Sequence, residues 1–176
     1  PLRQLVNQRM QAVQMLEAIL RSTHKMSQII EGLLLLGRVR RSEVELSPLD
    51  MASVISEVQA RIAPLQEESG GVLITGDPAQ WPLALGYAPW IEEIWYNYIS
   101  NAFKYGGHPP IVELSASRQG NQQVCFCVRD NGPGLSAEQM EHLFNEFTRL
   151  HGDNTGGHGL GLSIVKRLVD KLGGEV

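Results

Sequence analysis

"GGHGLGLSIVKRLV", Gly156–Val169, sets glycines at positions 157, 159 and 161 directly ahead of an apolar helical pattern. Each glycine inside a helix costs roughly 1 kcal/mol against alanine, so the stretch reads as a loop that turns into a helix. Successive backbone N–H groups ahead of a helix N-terminus form an anion cradle, helped by the helix dipole. A flexible hinge before a helix is the plainer account. It leaves unexplained the alternation with Leu160 and Leu162, which would send the leucines to the core and the glycines toward a ligand.

Two further stretches give the cradle a partner. In "WIEEIWYNYISNAFKYGG", residues 90–107, a helical rotation of about 100° per residue gathers Ile91, Ile94, Trp95, Tyr98, Ile99, Ala102 and Phe103 on one face. Glu93, Asn97, Asn101 and Lys104 line up in a stripe beside it. Amide oxygens of this kind suit a Mg²⁺ that already holds phosphates and waters, and a lysine one turn on supplies a point charge for phosphate. A solvated polar edge would also produce such a stripe. In "VRDNGPGL", residues 128–135, a strand ends at Asp130. Gly132 and Gly134 then let a ligand approach the main chain, where the Asp130 carboxylate can accept from an exocyclic amine. An ordinary Asn-Gly turn would look the same.

The rest of the chain supplies the frame. Residues 2–39 predict one long helix, with apolar or small residues at Ala12, Leu16, Ile19, Thr23, Met26, Ile30 and Leu33 in heptad spacing. Flanking lines at Met15, Ile29 and Leu36, and at Val13, Leu20 and Leu34, widen the stripe beyond a two-stranded seam. It suits a helix with several neighbours, as in a four-helix bundle. Beyond a break at residues 37–50, strands are expected at Val44–Leu46, in "GGVLIT" and in "WPLALG", and a helix capped by Asp50 is expected to run to about Glu68. A helix is expected over 89–105, and "PIVELSAS" and "QQVCFCVRD" form a strand pair. Ser136 opens a helix to about Phe147, residues 148–158 are loop, 160–172 are helical, and "GGEV" begins one more strand. Cys125 and Cys127 fall on one strand face, too far apart for a disulfide, and read as buried thiols. The fold class expected is α+β: a two-layer α/β sandwich, a mixed sheet with helices on one face, preceded by the long helix.

Bulk properties remove other classes. The 176 residues carry a formal net charge of −4, which argues against a general nucleic-acid surface. No apolar run approaches the roughly 18 residues needed to span a bilayer, so no membrane contact is expected from this chain. It opens on Pro1 without a methionine and stops at "GGEV". A piece of a longer protein is expected, with its last strand cut short.

In order and spacing the three sets resemble the histidine-kinase ATP-binding domain of the GHKL superfamily. Asn97 and Asn101 in "NYISNAFKY" match the N box, "DNGPG" at 130–134 the first glycine box, "LFNEFTRL" at 143–150 the F box, and "GHGLGLSIVKRLV" the second glycine box. The resemblance covers 43–176 as an ATP-binding catalytic domain. Residues 1–42 look like the second helix of a dimerisation domain with its linker. It implies that Asn97 ligates Mg²⁺ and that Asn101 and Lys104 hold the triphosphate of ATP, with Tyr105 nearby. Asp130 would read the adenine amine in a pocket shaped by Gly132 and Gly134. Phe144 and Phe147 belong to the F box, and Arg149 would reach the γ-phosphate. Gly157, His158, Gly159, Leu160, Gly161 and Leu162 would wrap the phosphates, and residues 148–158 would be a lid. The implied partners are a second copy of the chain through the first helix and a response-regulator receiver domain, with a cytoplasmic location.

Departures set the limits of the resemblance. The phosphoacceptor is expected in a His-Glu or His-Asp pair on the preceding helix; His24 is followed by Lys25, and His108, His142, His151 and His158 also lack that context. The acceptor is therefore expected outside this chain. "LGYAPW" stands where many relatives carry an Asp near the helix start. Glu93, one turn before Asn97, matches the water-activating glutamate of the superfamily's hydrolases, so an ATPase stays open beside the kinase, as does a non-catalytic nucleotide-binding dimerisation module.

Overall fold

The fold is that of a computed structural model, which describes residues 2–41, 44–120, 123–145 and 159–176. The long heptad-spaced stretch is a single helix, α1 (Leu2–Arg41). Leu16, Ile19, Met26, Ile30 and Leu34 on it are all exposed in the single chain, so the apolar stripe is built and mostly uncovered. Its C-terminal part is the exception: Val39 is buried and Ile29 half-buried.

The first strand lies later than expected. Val44–Leu46 is irregular, and the pairing residues are Ser47–Pro48 (β1). Asp50 does cap α2 (Met51–Ser69), its Oδ1 accepting from the Ser53 N–H at 3.2 Å. The helix ends at Gly70, in a left-handed conformation (φ 63°) that glycine adopts without strain. Then come β2 (Val72–Ile74), a 3-10 turn at Pro78–Gln80 and β3 (Leu85–Gly86). Of "WPLALG" only the last two residues pair, antiparallel with β1. Next are α3 (Ala88–Tyr105), β4 (Ile111–Gln119) and β5 (Gln123–Asp130).

The main sheet has the order β2-β4-β5, with β2 parallel to β4 and β4 antiparallel to β5. α3 is the crossover between the parallel strands. One face of the sheet is covered. Val54, Ile55, Val58 and Ile62 of α2 and Trp95, Ile99, Ala102 and Phe103 of α3 pack with Val112 and Leu114 of β4 into the principal core. Phe126 and Val128 of β5 and Trp81 close its rim, with Trp81 and Phe126 both about the Trp95 ring at centroid distances of 5.7 and 5.9 Å. This is the expected two-layer sandwich.

The register decides the cysteines. Leu114 pairs with Val128 and Ala116 with Phe126, so Cys125 and Cys127 face the open side opposite Ser117 and Ser115. Cys127 is exposed and Cys125 half-buried, which corrects the expectation of buried thiols. A capping box at Ser136 and Gln139 starts α4 (Ala137–Glu141). It does not run to Phe147. After Glu141 the N–H groups of His142, Leu143 and Asn145 donate to carbonyls three residues back, turning the chain out of the helix. The last helix, α5 (Gly161–Lys171), is followed by irregular backbone at residues 174–176, where a strand was expected.

Candidate functional site

α3 is the wall on which the site is built. Its apolar face is fixed by the core, and that fixes where Asn97, Asn101 and Lys104 stand beside it. Its first turn carries no acidic cap. The Tyr87 carbonyl instead accepts from the Trp90 and Ile91 N–H groups at 2.9 and 3.1 Å. The Tyr87 ring meets Trp90 edge-on at 5.5 Å. Aromatic packing therefore secures the helix start at "YAPW", the stretch noted above for lacking an Asp.

The Asn97 amide is oriented by its own helix. Its Nδ2 donates to the Glu93 carbonyl at 2.8 Å and to Glu93 Oε1 at 3.1 Å. That leaves Oδ1 facing the start of α5. A Cβ on Gly161 would lie 2.5 Å from that oxygen, so the two elements meet closely and a side chain at 161 would displace the Asn97 amide. Glu93 Oε2 in turn pairs with Arg61 of α2 at 3.0 Å, and the Arg61 guanidinium lies 4.1 Å from the centre of the Tyr96 ring.

Asn101, one turn on, is half-buried, and its amide has no hydrogen-bond partner among the described residues. Lys104 has no ion-pair partner among them either, and burial pushes its pKa below the usual lysine value. A half-buried cation without an acidic neighbour is costly unless an anion joins it. Tyr105 is half-buried at the helix end.

The Asp130 turn abuts that end of α3. Asp130 Oδ1 accepts from the Gly132 N–H at 2.7 Å. A Cβ on Gly132 would meet that oxygen at 2.6 Å and the Tyr105 carbonyl at 2.8 Å. Gly134 has φ 74°, a conformation in which side-chain-bearing residues are strained. Asn131, passed over in the sequence as part of an Asn-Gly turn, ties this turn to the helix exit. Its Oδ1 accepts from the Gly107 and Ile111 N–H groups at 3.0 and 2.8 Å, and its Nδ2 donates to the Pro109 carbonyl at 3.1 Å.

At the opposite end, Gly159 has φ 68° and Leu160 is the cap of α5. No side chain caps this helix. The Leu160 carbonyl accepts from Ser163 Oγ at 2.8 Å and from the Ile164 N–H at 2.9 Å. The Leu160 side chain is buried with Val39, Trp90, Ile164 and Leu168, as the alternating pattern required. Leu162 departs from it: the residue already lies inside α5, where a helical rotation replaces the two-residue alternation, and it is only half-buried, outside both core clusters.

The structure thus brings Asn97, Asn101, Lys104, Tyr105, Gly132, Leu160 and Gly161 onto or against α3, with Asp130 beside Gly132 and Gly159 next to Leu160. Phe144 is described, half-buried in the turns after α4. Phe147, Arg149, Gly157 and His158 lie outside the described residues, as do His151 and the side chain of His24. His108 and His142 are exposed, and His142 Nδ1 lies 3.2 Å from Asn145 Nδ2. Sequence reasoning missed Asn131 and Arg61. The first was signalled only by its place in a turn, and the second by nothing local, because 32 residues separate it from Glu93.

Residues 86–176 match the family model described as "Histidine kinase-, DNA gyrase B-, and HSP90-like ATPase". Over 164 residues the chain is 30% identical to the adaptive-response sensory kinase SasA of Synechococcus sp., covering 91% of this chain and 43% of that one. Over 169 residues it is 32% identical to the sensor protein CutS of Streptomyces coelicolor, covering 93% and 40%. The chain therefore spans about two-fifths of the length of these relatives. The crystal structure of full-length ShkA in complex with AMPPNP superposes with a TM-score of 0.69 at 28% identity, covering 83% of this chain and 31% of ShkA. The chain belongs to the histidine kinase-, DNA gyrase B- and HSP90-like ATPase family.

Proposed function

We propose that this chain is the transmitter part of a sensor histidine kinase. It would bind Mg²⁺-ATP along α3 and pass the γ-phosphate to a histidine on a dimerisation helix outside the chain, for relay to a response-regulator aspartate. The single observation that carries this reading is the pair of close approaches at the two ends of one helix wall. Gly161 stands against Asn97, and Gly132 stands against Asp130 and Tyr105. From Asn97 to Tyr105 the helix rises about 12 Å, a span that separates a phosphate end from a base end. Between them sit Asn101, whose amide has no hydrogen-bond partner among the described residues, and a half-buried cation, Lys104, both suited to phosphate oxygens. The donor set therefore fits the nucleotide.

In this reading Asn97 Oδ1 is the protein's metal ligand. Asn101 donates to the phosphates through its amide, and Lys104 compensates their charge. The α5 N–H groups at Gly161 and beyond receive the terminal phosphates. Asp130 keeps one carboxylate oxygen for the Gly132 N–H and offers the other to the adenine amine. Mg²⁺, when bound, neutralises the charge that gathers on the phosphates during transfer. Phosphoryl transfer asks little else of the protein beyond positioning. Residues 1–42 are assigned to the dimerisation domain and 43–176 to the catalytic domain. The uncovered stripe of α1 would pair with a second copy. Among the described residues no helix is long and apolar enough to cross a membrane, and the domain would work on the cytoplasmic side, where ATP is.

The hydrolase alternative asks Glu93 to activate water. Both carboxylate oxygens of Glu93 are engaged, one with Arg61 and one with Asn97, which favours the kinase. The test is transfer in trans. A separate fragment bearing the upstream histidine should become acid-labile and radiolabelled with ATP and Mg²⁺, and Asn97→Ala should lower that labelling by at least about 100-fold, some 2.7 kcal/mol. Nucleotide binding by calorimetry without any labelling would overturn transfer. Steady phosphate release abolished by Glu93→Gln would establish the hydrolase instead.

A further inference from the structure

The Mg²⁺ ligand assigned above is a primary amide, and an amide binds a cation only when its oxygen, not its nitrogen, faces the metal. The orientation of Asn97 is thus a functional variable, and a chain of contacts reaching to another helix sets it. Both N–H groups of the Asn97 amide are taken up by Glu93, one by its carbonyl at 2.8 Å and one by its Oε1 at 3.1 Å. The carbonyl bond belongs to the helix itself. The carboxylate bond requires a particular rotamer of Glu93, and Arg61 of α2 fixes that rotamer through Oε2 at 3.0 Å.

An exposed Arg–Glu pair alone contributes little, because holding two long side chains still offsets the attraction. Arg61 differs in that its guanidinium already rests on the Tyr96 ring, 4.1 Å from its centre. Stacking orders the cation before it meets Glu93. Tyr96, Glu93 and Asn97 all project from α3, so the relay runs from the α2–α3 contact directly to the amide.

We propose that Arg61 is a positioning residue for the metal ligand. By pairing with Glu93 it holds the Asn97 amide with Oδ1 toward α5, and it keeps the Glu93 carboxylate from swinging free beside the phosphates. The inference rests on the reading of Asn97 as metal ligand. Partners that orient a metal ligand typically change metal affinity 10–100-fold when removed. Because the helix carbonyl bond survives in any Arg61 variant, the lower end of that range applies.

The experiment is a calorimetric titration of a non-hydrolysable ATP analogue into the whole chain, at a series of Mg²⁺ concentrations and in EDTA. Arg61→Gln should raise the Mg²⁺ concentration needed for tight binding about tenfold, leave the affinity in EDTA unchanged, and melt within a few degrees of the parent. Arg61→Lys, which keeps the charge, should recover most of the shift. Tyr96→Leu, which removes only the stacking, should shift the Mg²⁺ requirement in the same direction by less. In a Glu93→Gln background, Arg61→Gln should add nothing. An Arg61→Gln protein with the parent's Mg²⁺ requirement, alongside an Asn97→Ala protein that has lost it, overturns this proposal and leaves the metal assignment standing. Additive effects of the Arg61 and Glu93 changes overturn the relay through Glu93. An Asn97→Ala protein with an unaltered Mg²⁺ requirement overturns the metal assignment itself.

Discussion

The two ends of α3 are built on different principles. At the end proposed for the base, the Asp130–Gly134 turn is fixed by hydrogen bonds to the neighbouring backbone between α3 and the start of β4. Asn131 alone makes three of them, to Gly107, Pro109 and Ile111. At the end proposed for the phosphates, the apolar anchor of Gly159–Gly161 among the described residues is Leu160, in a small cluster apart from the main core. That cluster takes in Val39 and Ile29 from α1, and a Cβ on Gly32 of α1 would sit 3.3 Å from Ile164 Cδ1 of α5. One end of the site is thus secured locally, and the other leans on the helix that enters the domain.

Removing the anchor is the harshest way to separate the ends. Leu160→Ala deletes a side chain that is 4% exposed. A change of that kind in a core costs about 3 kcal/mol. The loss should fall on the phosphate end: ATP affinity drops steeply while adenosine affinity stays near the parent's. Equal losses for both ligands would mean that the ends are mechanically one unit. The converse change is Asn131→Ala, which leaves the Gly107 and Ile111 N–H groups and the Pro109 carbonyl without their side-chain partner. These groups are partly solvated, so the cost is about 1–2 kcal/mol, below that of Leu160→Ala. Adenosine affinity should fall with it, and the adenosine and ATP losses should be similar, since both ligands use the base end.

The contrast bears on what a sequence can disclose. α3 and its polar stripe were legible because a helix imposes one rotation on every residue, so fixing the apolar face fixes the rest. The β4–β5 pair was legible from its alternation. The facing of Cys125 and Cys127 was not, because "VCFCV" is apolar at both parities and only the pairing of Leu114 with Val128 selects the inner one. The β1–β3 ribbon was misplaced by a few residues. Two-residue strands have no periodicity, and their position is set from outside by contacts such as the Leu49 N–H donating to the Ala84 carbonyl at 2.9 Å. In the site, the glycines and the Asp were legible as a motif, and Leu160 as an anchor. Its neighbours on α1 were not, since no local pattern encodes a contact between helices more than a hundred residues apart. Leu162 failed for a related reason: α5 begins at Gly161, one residue too early for a two-residue alternation to persist.

Lys104 lies between the two ends, and a pH measurement assigns it to one of them with the smallest expected effect. Burial lowers its pKa below the ordinary lysine value. The unfolded chain therefore holds this proton to higher pH than the folded one. Between the two pKa values the unfolded state binds more protons, so the ligand-free protein gains stability as pH rises through that window. Below the folded pKa both states are charged, and the full cost of burying the cation is present. Phosphate oxygens favour the charged form, so a nucleotide held by Lys104 raises its pKa again. Binding in the alkaline window then takes up a fraction of a proton, and affinity declines with pH there by less than about tenfold. Calorimetry of ADP binding in two alkaline buffers of different ionisation enthalpy measures that uptake, and Lys104→Met should abolish it. Uptake with ADP but none with adenosine places Lys104 at the phosphate end, while equal uptake with both would move it to the base end beside Tyr105.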